Sequence, residues 1–89
     1  MVNNCYITFP TTYYAIRAES LLRKHTYFFK MVPVPRVISS SCGTAMCGSC
    51  DDIVTLRNIL LQNEIQLESI FKIEEAGLRT PKAEELNFD

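Results

Sequence analysis

Pro33 and Pro35 stand two residues apart at the end of a strand-like run, Tyr27 to Val34, and this spacing limits the folds open to the chain. Residues two apart in a strand point the same way, so both missing N–H donors fall on one side. That side cannot be paired inside a sheet. The run is therefore expected at a sheet edge, its proline side to solvent, which also protects the edge against unwanted pairing.

The other elements follow from periodicity. Cys5-Tyr6-Ile7-Thr8-Phe9 is β-branched and aromatic, has no polar alternation and stops at Pro10, as a buried strand does. Thr11 and Thr12 are candidate N-caps for a helix over Tyr13 to Lys24. Its apolar stripe is Tyr14, Ala15, Ala18, Leu21 and Leu22, and Arg23, Lys24 and His25 would complement the carbonyl end of its dipole. Val37 to Gly43 reads as a polar turn of small residues, followed by a short strand, Thr44 to Cys47. Asp51 and Asp52 open a second helix, with Ile53, Leu56, Ile59, Leu60 and Asn63 inward. Ile70 to Ile73 is the last strand expected. Gly77, Thr80 and Pro81 interrupt regular structure beyond it, and the polar end, Lys82 to Asp89, is expected to fray or form a short helix.

Strand, helix, strand, strand, helix, strand is the split βαβ order of an α+β, ferredoxin-like βαββαβ sandwich, one sheet with two helices on one face. Its second and fourth strands are edges, which suits the proline pair. The alternative is a small open α/β sheet with another strand order. Eighty-nine residues allow one domain, read as residues 1–76 with a polar tail at 77–89. Nine Lys plus Arg against ten Asp plus Glu leave a net charge near −1, with no excess to hold a nucleic acid. No apolar run is long enough to span a membrane and no secretory signal is visible, so a cytoplasmic protein with four reduced cysteines is expected.

Chemistry concentrates around Cys42. Ser39, Ser40 and Ser41 precede it and Gly43 comes next, so small side chains and hydroxyl donors would leave the sulfur reachable and its anion hydrogen-bonded. Arg36 is the nearest cation. The competing reading makes the serines a solvated turn and Cys42 a small buried hydrophobe. Cys47-Gly48-Ser49-Cys50 forms a C-x-x-C before a helix, the arrangement of a redox pair. Cys42, Cys47 and Cys50 together could act as a redox or metal sensor, although a zinc site would need further ligands from Cys5 or His25. Cys5 itself reads as buried and inert. Tyr13, Tyr14, Tyr27, Phe28 and Phe29 read as core and rim, and Asp51 and Asp52 as helix-starting acids.

The opening Cys5 to Pro10, the Pro33-Val34-Pro35-Arg36 segment and Ser40-Ser41-Cys42-Gly43 together resemble a family of small bacterial proteins described as selenium- or sulfur-carrier-like. The resemblance spans most of residues 5 to 75. It implies that Cys42 accepts sulfur or selenium as a persulfide or selenenyl sulfide from a donor protein and passes it to an acceptor. It needs no cofactor or resident metal, and describes a carrier or accessory protein more than an enzyme. In proteins of this type a basic residue commonly stands five places after the motif cysteine; here that place is Cys47. Cys47 or Cys50 could then discharge the bound atom by forming a disulfide. Arg36, Ser39, Ser40, Ser41 and Gly43 would surround the cargo, and the fourth strand's free edge would permit a homodimer. A non-catalytic interaction domain is the remaining alternative.

Overall fold

In the computed structural model, residues 4–25, 29–38, 40–74 and 82–87 are described. They form a small α+β fold: β1 (Asn4–Thr8), α1 (Thr12–Leu22), β2 (Phe29–Pro33), β3 (Thr44–Ser49), α2 (Ile53–Gln62), β4 (Ser69–Glu74) and β5 (Lys82–Glu85). The strands make one open antiparallel sheet in the order β2-β3-β1-β4-β5. β1 is central, with Ile7 opposite Met46 on one side and Ile70 on the other.

Alternation along β1 sorts the two sheet faces. Cys5 and Ile7 are fully buried and join Phe9, Met46 and Ile70 in one cluster with Ala15, Ala18 and Leu22 of α1 and Ile53, Leu56 and Leu60 of α2. Both helices therefore cover the same face. Tyr6, opposite Cys47 and Phe71, belongs to the other.

The proline-bearing strand lies at the sheet's edge as expected, but it ends at Pro33, opposite Thr44, so Pro35 falls beyond it and the two-residue spacing is not a feature of the strand itself. Tyr27 and Phe28 lie outside the described residues, as do Gly77, Thr80 and Pro81. β4 is not an edge, because β5 pairs along it. That pairing corrects the expectation that residues 82–85 fray or turn helical. β5 has no apolar run to announce it; β4's open backbone edge recruits it, with Lys72 placed opposite Glu84 and the Leu86 N–H donating to the Ile70 carbonyl at 2.8 Å.

The helix starts also differ from expectation. Thr11 takes the N-cap position of α1 in extended backbone, but its hydroxyl makes no capping bond. Arg23, Lys24 and His25 fall past the last helical residue rather than within the final turn. Asp52 occupies the N-cap of α2 without a carboxylate bond, and the turn is closed from Ser49, which accepts the Asp52 N–H at its carbonyl and the Asp51 N–H at its hydroxyl. Asn63, expected inward, is exposed just after α2, where its side-chain amide donates to the Ile59 carbonyl at 2.8 Å.

A covalent link closes the other end of the core. Cys5 in β1 is bonded to Cys50, just past β3, across a Cα separation of 5.0 Å. Cys5 is thus buried but not an inert thiol, and the expectation of four reduced cysteines is corrected: Cys42 and Cys47 are the free ones. The link spans 45 residues, for which loop entropy gives about 4 kcal/mol. A Cys50→Ser variant, compared with the oxidised parent by urea denaturation, is expected to lose on the order of 2–4 kcal/mol. Adding reductant should bring the parent down to the variant's midpoint.

Candidate functional site

The register of β1 determines which residues meet. Thr8, its last residue, lies opposite Ala45 of β3 and Ser69 of β4. The chain just before Ala45, the chain just before Ser69 and the start of α1 therefore leave the sheet at one end. These segments bring Cys42, Glu68 and Thr12 together.

Cys42 is half-buried against the helix-side core, and its sulfur lies 3.9 Å from the Thr12 hydroxyl in the first turn of α1. The first amides of a helix have no partner within it, and the aligned peptide dipoles favour negative charge there. The Thr11 hydroxyl makes no capping bond, so the Cys42 sulfur lies beside a helix start that no side chain caps.

Ser40 and Ser41 commit their hydroxyls to partners other than the sulfur, contrary to what their position in the sequence leads one to expect. Ser40 Oγ accepts the Cys42 backbone N–H at 3.2 Å. Ser41 is spent on Glu68, its N–H donating to Oε1 at 3.1 Å and its hydroxyl to Oε2 at 2.6 Å. Short side-chain hydroxyls reach their own loop's backbone and a facing carboxylate more readily than a neighbour's sulfur. Ser39 lies outside the described residues. Arg36 is exposed on the turn at 36–37, with no hydrogen bond or ion pair to another described residue. Gly43 has φ +79°, a left-handed turn that glycine adopts freely, and its carbonyl accepts the Val34 N–H where the β2–β3 connection closes.

Glu68 is the residue that sequence reasoning missed. Its backbone N–H donates to the Thr8 carbonyl at 2.8 Å, and the Thr8 hydroxyl donates to the Ser69 carbonyl at 3.2 Å. The Ser41 hydroxyl, then the Ser41 N–H, hold its carboxyl below the usual glutamate range against the opposing effect of desolvation, with lesser help from Ser40 and Thr8. A lone glutamate twenty-seven residues from its partner carries no local signal.

The C-x-x-C does not form a pair. β3 runs through Ser49, so Cys47 lies in the strand, opposite Tyr6 and Lys30 on the face away from the helices. Cys50 is bonded to Cys5. Cys42 and Cys47 are the free cysteines, and they belong to opposite sides of the sheet. Among the described residues no group of three or more metal-ligating side chains gathers. Of the cavities, one of about 280 Å³ lies beside Arg57, Leu61, Glu68 and Leu86 and one of about 330 Å³ beside Arg17, Lys24, Asn63 and Ile65; Cys42 lines neither. No helix among the described residues is long and apolar enough to cross a membrane.

Because the folded-state pKa of Glu68 is depressed, its stabilisation is complete above the unfolded glutamate value, about 4.3, and is lost as pH falls through the folded one. Carboxyl NMR titration should therefore find Glu68 ionising below the ordinary glutamate value, and Ser41→Ala should move its midpoint up toward that value.

The sequence pattern of the family described as "Putative Se/S carrier protein-like" matches residues 4–72, which takes in β1 through most of β4. No curated protein and no solved structure matches the chain significantly.

Proposed function

The chain belongs to that Se/S carrier protein-like family, and from this premise we propose that Cys42 is the carrying residue, loaded with sulfane sulfur or selenium by a donor protein. The observation that carries the reading is the half-exposed free sulfur beside the uncapped start of α1. In the loading step the Cys42 thiolate attacks the outer sulfur of a donor persulfide. The donor's S–S bond breaks, a new S–S bond forms on Cys42, and the donor leaves as a thiolate, so no outside oxidant or reductant is needed. Selenium would load by the same exchange as a selenenyl sulfide.

Discharge runs between proteins. Neither Cys47, on the other face of the sheet, nor Cys50, held by Cys5, is placed to resolve a persulfide on Cys42. A joint sensor built from Cys42, Cys47 and Cys50 has less support for the same reason. Gly43 and Ser40 shape the loop under the cargo, while the exposed Arg36 is offered to the docking protein. Partners on this reading are donor and acceptor proteins of sulfur or selenium metabolism, and the protein is an accessory carrier more than an enzyme. The order β2-β3-β1-β4 supports reading residues 1–76 as a ferredoxin-like split βαβ unit, with β5 from the 77–89 segment as an added strand.

Intact-mass spectrometry after incubation with a persulfide donor should give an adduct of about 32 Da per sulfur that is absent from Cys42→Ser. An adduct retained by that variant would move the chemistry to another cysteine, and none on the parent would remove the carrier reading.

A further inference from the structure

We propose that Glu68 is a positioning residue for Cys42, its carboxylate pinning Ser41 so that the next residue's sulfur is seated at the start of α1. This deepens the carrier reading and rests on it for its functional consequence. The backbone of Glu68 is itself fixed, because its N–H is bonded to the carbonyl of the fully buried Thr8. Both carboxylate oxygens then accept from one residue, Ser41, through its N–H and its hydroxyl. Charge-assisted bonds of this kind are short and stronger than neutral ones, and two on one residue restrict rotation as well as distance.

Ser41 lies between two further restraints. Upstream, Ile38 is buried and its N–H donates to the Pro35 carbonyl at 3.0 Å. Downstream, the Cys42 N–H is bonded to Ser40 Oγ, and Gly43 closes the connection onto Val34. Removing the Glu68 carboxylate leaves both ends of this loop attached and frees its middle, where the sulfur is. The effect is therefore expected to be local: the serine and cysteine amides loosen while the sheet does not.

The test compares the parent with Glu68→Ala and Glu68→Gln by amide hydrogen exchange and by the ¹³Cβ NMR signals of Cys42 and Cys47. In Glu68→Ala, exchange at Ser41 and Cys42 is expected to rise on the order of tenfold, with the β1 amides unchanged. The Cys42 ¹³Cβ signal should move and that of Cys47, on the other face, should stay. Glu68→Gln keeps one acceptor oxygen and should recover part of both effects. Unchanged exchange at Ser41 and Cys42, or a rise shared equally by β1, would overturn the proposal. Persulfide loading measured on the same samples separates the two readings. Loosened amides with no adduct on any sample retain the Glu68 role and reject the carrier. An adduct on the parent with unchanged amides does the reverse.

Discussion

The double pairing of β1 is the constraint on which the rest of this structure depends. With β3 on one side and β4 on the other, Cys5 and Ile7 point into the helix-covered core and Tyr6 away from it. A one-residue slip would exchange these sets, so the register is strongly enforced. The register in turn fixes where the chain leaves the sheet. Glu68, Cys42 and Thr12 converge at the end marked by Thr8, although they are distant in sequence and belong to three different connections.

Sulfur chemistry is thereby divided along the same strand. Cys5 binds Cys50 toward one end, while Cys42 lies at the other, several residues away at about 3.3 Å each. Cys47 is separated from both by the sheet itself. On the carrier reading proposed above, internal disulfide exchange is the route by which a sulfane sulfur on Cys42 would be lost, and this layout separates the cysteines that would take part. Two thiols are used to hold the core, one is turned away, and one is left beside a helix end with an affinity for negative charge.

The features legible in the sequence are those set by local rules. Pro33 marked an edge strand, the Cys5 to Phe9 run announced a buried one, and the stripes through Ala15, Ala18 and Leu22 and through Ile53, Leu56 and Leu60 marked the inner helix faces. The illegible parts are held by distant partners. β5 forms because β4 offers an edge, not because Lys82 to Glu85 has strand-like composition. Cys50 looked like the partner of Cys47 because spacing is visible and register is not: once β3 extends to Ser49, alternation turns Cys47 away from the core. At the site, the cysteine motif was plain in the chain. The serines' true partners were not, since Ser41 is committed to a carboxylate on another strand connection.

The central claim is that Cys42 alone combines a free sulfur with access from solvent at the start of a helix. Its most direct test is brief alkylation of the native, unreduced protein with a small electrophile, then peptide mapping of all four cysteines. Modification is expected at Cys42 first, with Cys47 slower and Cys5 and Cys50 unmodified until reductant is added. Labelling of Cys47 or Cys50 ahead of Cys42, with Cys42 left intact, would contradict it.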